Sequence, residues 1–191
     1  MIKTVFFDFF GVVSSEITPF WFAERYEEEE AKRLKDKYMT PADLGEVSLS
    51  GILGQLSALD GTTPEDLLAD FMSRAVPNRE LLSIISSLKE NYKVVLLSNA
   101  LPEMLHMILA RDDLYKYFDK MVISGEIRMI KPNRDIFEYA LSLANCSAED
   151  AVFIDDNPKN VSAAKEIGIH ALRFESLEKL VSDLKLLGVE L

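Results

Sequence analysis

Three short apolar runs, each stopped abruptly by polar residues, restrict this chain to a narrow set of folds. Thr4-Val5-Phe6-Phe7 meets Asp8, Val94-Val95-Leu96-Leu97 meets Ser98-Asn99, and Ala151-Val152-Phe153-Ile154 meets Asp155-Asp156. A strand with one face in water alternates apolar and polar side chains. Unbroken runs of β-branched and aromatic residues instead read as strands buried on both faces, as in parallel sheets. Met121-Val122-Ile123 and His170-Ala171-Leu172-Arg173-Phe174 are weaker strand candidates.

Helical patterns separate these runs. After Asn78, a good N-cap, Leu81, Leu82, Ile84, Ile85 and Leu88 share one stripe. Met104, Leu105, Ile108 and Leu109 repeat the pattern, as do Ile136, Phe137, Ala140, Leu141 and Ala144. Asn157-Pro158 supplies a cap and a first-turn proline for a helix that Gly168 closes, and Leu177, Leu180, Val181, Leu184 and Leu187 form the last stripe. Strand and helix alternating from residue 78 onward predict right-handed βαβ units in an α/β, doubly wound parallel sheet.

Residues 15–77 break that rhythm. Thr40-Pro41 and Thr63-Pro64-Glu65-Asp66 read as helix starts, Asp60-Gly61 as a turn, and no strand is evident. The expected organisation is an α/β core of residues 1–14 and 78–191 with a helical insertion at 15–77. The acidic run Glu27 to Glu30 reads as a solvated helix face, since Glu28 and Glu29 precede Lys32 and Arg33 by four residues.

Charge narrows the partners. With 21 Lys and Arg against 32 Asp and Glu, the net charge is −11. No basic footprint for nucleic acid or an anionic membrane is visible. The single cysteine, Cys146, permits no intramolecular disulfide and suits a reducing compartment. No apolar run approaches the roughly 18 residues of a membrane span, and the N-terminus lacks the long apolar region of a signal peptide. The expectation is a soluble cytoplasmic protein, monomeric or homodimeric, acting on a small molecule.

In open parallel sheets, ligands bind in the crevice beyond the carboxyl ends of the strands. Asp8, Ser98, Asn99, Asp155 and Asp156 all occupy such ends. Three carboxylates brought together require cations, and carboxylates with backbone carbonyls and water form the hard oxygen set that Mg²⁺ prefers. Lys131, in Ile130-Lys131-Pro132, would add a fixed cation if its loop reaches the same rim.

Four segments, in chain order, resemble the motifs of the haloacid dehalogenase-like (HAD) hydrolases: the strand ending in Asp8 with Phe9-Phe10-Gly11-Val12-Val13, then Leu96-Leu97-Ser98-Asn99, Lys131-Pro132, and Val152-Phe153-Ile154-Asp155-Asp156-Asn157. Together they cover nearly the whole chain. The insertion at 15–77 falls where that family places a helical cap, and the chain looks most like its small-capped phosphatases of sugar phosphates and related monoesters. The resemblance implies a Rossmann-like core and a Mg²⁺-dependent phosphatase working through an aspartyl-phosphate. Asp8 would be the nucleophile. Asp8, the backbone carbonyl of Phe10 and Asp156 would bind Mg²⁺, with Asp155 acting through a metal-bound water. Ser98 and Lys131 would hold phosphoryl oxygens, with the backbone of Asn99 nearby.

One position departs from the pattern. Most family phosphatases carry an aspartate two residues after the nucleophile, as acid for the leaving group and base for water; here that residue is Phe10. A phenyl ring exchanges no proton, and loss of acid–base help typically costs about 10²–10⁴-fold. Three readings therefore stand: a phosphatase with weakened or substitute acid–base chemistry, a 2-haloacid dehalogenase, or an inactive binding protein of the same fold. Dehalogenases carry an aromatic residue at the position of Phe10, need no metal, and usually lack the acidic pair seen here as Asp155-Asp156. Elsewhere, His106 and His170 read as packing or surface residues, Cys146 as an inert thiol, Met104 and Met107 as helix packing, and Phe20, Trp21, Phe22 and Arg25 as core more than substrate contacts.

Overall fold

The computed structural model describes residues 1–191. The apolar runs form parallel strands: β1 (Thr4–Phe7), β2 (Lys93–Ser98), β3 (Lys120–Ile123), β4 (Ala151–Asp155) and β5 (His170–Arg173), in the spatial order β3-β2-β1-β4-β5. β1 pairs with β2 on one side and β4 on the other, with Phe7 aligned to both Leu96 and Ile154. The chain builds outward from β1 to β2 and β3, then returns to place β4 on the opposite flank of β1. That reversal opens the sheet between β1 and β4 at their carboxyl ends, where α/β sheets bind ligands.

The period-two alternation of a strand sorts side chains onto two faces. Val5, Phe7, Val94, Leu96, Val152 and Ile154 join one apolar cluster, while Phe6, Val95, Leu97 and Phe153 join another. The first face is covered by the buried stripes of α5 (Arg79–Leu88), α6 (Pro102–Arg111) and α10 (Leu177–Leu186), the second by α8 (Arg134–Ala144) and α9 (Pro158–Glu166). Phe137 meets Phe153 edge to face at 5.4 Å between ring centroids. Each fully buried side chain of this size contributes about 1.5–3 kcal/mol. The sheet is thus apolar on both sides because both sides are covered.

The expected caps are in place. Asn78 Oδ1 accepts from the Leu81 N–H at 3.1 Å, and Asn157 Oδ1 from the Lys159 N–H at 3.0 Å. Four helices occupy the stretch after β1: α1 (Thr18–Ala23), α2 (Glu28–Asp43), α3 (Leu49–Asp60) and α4 (Pro64–Arg74). Thr63 caps α4, accepting from the Asp66 N–H at 3.1 Å, and Gly61 ends α3 at φ +75°. Trp21, Phe22, Leu34, Leu56, Leu67 and Phe71 of these helices merge with the cluster on the first face of the sheet. The chain enters and leaves this layer side by side: Ser15 N–H donates to the Val76 carbonyl at 3.1 Å and Asn78 N–H to the Val13 carbonyl at 2.8 Å.

Some local expectations give way to packing. Thr40-Pro41 does not start a helix; it lies in the last turns of α2. A proline forfeits one helical hydrogen bond, but Leu34, Met39 and Ala42 form a buried stripe that carries α2 past it. Arg33 pairs with Glu30 rather than Glu29, at 2.6 Å. Phe20 is 58% exposed, whereas its neighbours Trp21 and Phe22 are buried. Met107 points outward from α6 while Met104 packs inward. The short helix α7 (Ser124–Ile127), directly after β3, went unanticipated.

Candidate active site

The strand register delivers the acids to one place. Asp8 follows β1 and donates its backbone N–H to the Ile154 carbonyl at 2.9 Å, so its side chain emerges beside Asp155 at the end of β4. Lys131 arrives from the loop before α8 and its ammonium is buried between them, 2.9 Å from Asp8 Oδ1 and 2.7 Å from Asp155 Oδ2. Carboxylate oxygens of Asp8, Asp155 and Asp156 lie within 4.8 Å of one another.

Each of these groups has distinct company. Asp8 Oδ1 also accepts from the Phe9 N–H at 2.7 Å, while Oδ2 has no protein partner. Asp155 is fully enclosed: beyond Lys131 it accepts from the Asn157 N–H at 2.8 Å and from Asn160 Nδ2 at 3.0 Å. Asp156, half-buried, forms no ion pair and borders the open space. Gly11, at φ +83°, makes room for it: a Cβ there would lie 2.7 Å from the Asp156 carboxylate.

Burial dominates the protonation equilibria. It pushes the Asp8 carboxyl well above the usual range, countered by the Lys131 ammonium and reinforced by Asp155. Asp156 is raised by burial and then by the charge of Asp155. Burial pulls Lys131 down, yet the carboxylates of Asp155 and Asp8 more than offset it, and the ammonium stays charged. When ionised, three carboxylates facing one lysine carry a formal excess of two negative charges, and this donor set fits a hard divalent cation.

The residues singled out in the sequence do not all act alike. Asn99 borders the cavity and works through its side chain, which accepts from the Lys131 N–H at 2.8 Å and donates to the Lys131 carbonyl at 2.8 Å. It thereby clamps the loop that carries the ammonium. Ser98, one residue earlier, is fully buried at the end of β2, and its hydroxyl has no hydrogen-bond partner. Phe10 lines the cavity and packs edge to face on Phe9, with ring centroids 5.0 Å apart.

The cavity measures about 130 Å³, and its walls include groups no motif had marked. Glu16, Lys35 and Asp43 face it from the inserted helices and the segment leading into them, beside Asp8, Lys131 and Asp156. Asn160 was also missed, although its spacing of three residues from the Asn157 cap places it on the first turns of α9. His106 lies on the surface between Tyr115 and Glu126, at 2.7 and 2.8 Å, and takes no part.

A parallel α/β sheet with paired acids at the β1 and β4 ends and a lysine locked between them defines a class of hydrolase. The family model for haloacid dehalogenase-like hydrolases matches residues 2–168, and the chain belongs to that family of enzymes. Its relatives include both phosphatases and dehalogenases. Pyrimidine 5′-nucleotidase YjjG of Escherichia coli is 36% identical over 63 residues, which are 33% of this chain and 28% of that protein. The chain thus spans less than a third of the nucleotidase. The (S)-2-haloacid dehalogenase of Xanthobacter autotrophicus is 24% identical over 199 residues, covering 94% of this chain and 77% of the dehalogenase. Among solved structures, a HAD family enzyme of Bacteroides thetaiotaomicron, in complex with magnesium and inorganic phosphate, superposes with a TM-score of 0.78 at 23% identity over 94% of this chain and 99% of its own. At that identity the likeness speaks for the fold.

Proposed function

We propose that this hydrolase is a Mg²⁺-dependent phosphatase of small phosphorylated metabolites, working through an aspartyl-phosphate, with residues 15–77 as its cap. The observation that carries the reading is the cluster of Asp8, Asp155 and Asp156 oxygens within 4.8 Å, only partly neutralised by Lys131. A dianionic phosphoryl group cannot approach such a cluster without added positive charge. Asp8, Asp156 and the Phe10 carbonyl would hold Mg²⁺, with Asp155 behind them orienting Lys131. When bound, the ion screens the phosphoryl charge and polarises its oxygens.

The chain's own groups supply the rest. Asp8 Oδ1 is held by Lys131 and the Phe9 N–H, which orients the carboxylate for attack on phosphorus. Lys131 and the unpartnered hydroxyl of Ser98 would receive phosphoryl oxygens, and Asn99 keeps the lysine loop in register. Such positioning and charge stabilisation account for most of phosphoryl transfer catalysis. A cavity of about 130 Å³ is well under the roughly 300–1,000 Å³ of drug-sized sites, which favours a small monoester such as a sugar phosphate.

The dehalogenase reading draws on the near full-length similarity to the Xanthobacter enzyme and on aromatic Phe10. The acidic pair weighs against it, because a 2-haloacid and the departing halide are both anions. A panel of phosphomonoesters assayed with and without Mg²⁺, alongside halide release from 2-chloropropionate, separates the readings. The phosphatase reading expects Mg²⁺-dependent phosphate release that is abolished in Asp8→Asn. Halide release without metal would replace it, and wild-type turnover by Asp8→Asn would end the covalent route.

A further inference from the structure

Without a carboxyl at position 10, the oxygen leaving phosphorus needs another proton source. Two inserted acids face the cavity, Glu16 and Asp43. Glu16 answers chiefly, after burial, to Asp156, and belongs to the electrostatics of the metal cluster. Asp43 is not one of the three clustered acids, and its location is fixed by several contacts.

Asp43 is the last residue of α2, whose final turn holds no basic side chain. A carboxylate there meets the negative end of the helix dipole, so local helix energetics disfavour a charged acid at this position. Core contacts hold the helix end over the site. Ser124 Oγ donates to the Asp43 carbonyl and accepts from the Ala100 N–H at 2.9 Å. Two residues on, Gly45 takes φ +68°, and a Cβ there would lie only 2.2 Å from the Gly125 carbonyl oxygen. The end of α2 is therefore pinned against α7 and the turn after β2, beside Ala100 and Leu101 on the cavity wall.

We propose that Asp43 is the general acid and base of this site, touching the leaving oxygen in place of the missing carboxyl at position 10. The inference rests on the phosphatase reading above. As an Asp8 oxygen bonds to phosphorus, the bond from phosphorus to the ester oxygen breaks and its electron pair stays on that oxygen. The Asp43 carboxyl gives its proton there, releasing the alcohol and leaving a carboxylate. In the second half, Asp43 takes a proton from the water that attacks the phosphorus of the aspartyl-phosphate. Asp8 is freed as carboxylate, phosphate departs, and Asp43 is again protonated.

The charged groups facing Asp43 are Lys35 on its own helix, Glu16 from the segment after β1, and Lys131 from the core. Burial, with Glu16 adding to it and the two lysines opposing, raises its carboxyl to about 7. An acid–base group works best with its pKa near the working pH.

Two small substrates test the assignment with Mg²⁺ present. Acetyl phosphate loses a carboxylate that needs no proton, whereas ethyl phosphate loses an alkoxide that does. Single-turnover release of ethanol should slow in Asp43→Asn by about 10²–10⁴-fold more than release of acetate. In the wild type, ethyl phosphate turnover should fall above about pH 7, and that limb should vanish in the variant. Phe10→Asp placed in the Asp43→Asn background should recover ethanol release. Equal slowing on both substrates, or an alkaline limb that survives in Asp43→Asn, overturns the proposal. So does a selective loss confined to Glu16→Gln, which would move the role to Glu16. If folded wild-type protein cleaves neither substrate nor any member of the phosphomonoester panel, the phosphatase reading falls and the acid assignment goes with it.

Discussion

Lys131 and Asp155 form a fully buried ion pair, with 2.7 Å between ammonium and carboxylate, and Asp8 completes the triad at 2.9 Å from the same nitrogen. Asp155 spends its remaining acceptor capacity on Asn157 and Asn160. Its acceptors are thus taken up by Lys131 and the start of α9, whereas Asp156 forms no ion pair and borders the cavity.

Removing the lysine should destabilise the protein strongly. Lys131→Met strands two buried carboxylates, and losing one partner of a buried pair costs about 3–5 kcal/mol. Urea unfolding should show that loss as a lower midpoint with an unchanged slope. A midpoint equal to the wild type would mean that the carboxylates are neutral without the lysine.

Gly11 and Asp156 should be coupled. Gly11→Ala puts a side chain into a left-handed conformation, at a cost of about 1–2 kcal/mol, and drives its Cβ to within 2.7 Å of the Asp156 carboxylate. Calorimetry should then find weaker Mg²⁺ binding in Gly11→Ala and a larger loss in Asp156→Ala. Wild-type affinity in Asp156→Ala would remove that residue from the metal site.

Stability should also depend on pH in a stated direction. Glu16 and Asp43 are raised to about 7 from ordinary values of 4.5 and 3.8, in both cases chiefly by burial. Between about pH 4 and 7 the folded protein keeps protons that the unfolded chain has released. Stability therefore falls as pH rises through that window, and the loss is complete above it. In metal-free buffer the urea midpoint should be lower at pH 8 than at pH 5, and the decline should shrink in Asp43→Asn. A variant that tracks the wild type at both values would show that Asp43 carries no such shift.

Much of the scaffold could be read from local pattern. The runs before Asp8, Ser98 and Asp155 are strands because a sheet covered on both faces admits almost no polar side chain in its interior. The caps at Thr63, Asn78 and Asn157 were readable because a helix start is satisfied by residues within a few positions of it. Pro41 misled for the converse reason: its local cost is outweighed by the burial of Leu34, Met39 and Ala42, contacts that depend on distant parts of the chain.

The amino-acid sequence by itself determined which groups stand at the strand ends, because the parallel polarity of the strands follows from the alternation of apolar runs and helices. Asp8, Ser98, Asn99, Asp155 and Asp156 were legible in that sense, and Lys131 only on the condition that its loop reaches the same rim. Only the tertiary structure decided how they are arranged: that Lys131 pairs with Asp8 and Asp155, that Asn99 clamps its loop, and that the Ser98 hydroxyl is buried without a partner. It also placed Glu16, Lys35 and Asp43 on the cavity wall. In the sequence they are ordinary charges on a solvated insertion. Lys35 and Asp43 reach the cavity because α2 packs against α7, and long-range contact of that kind leaves no periodic or local mark.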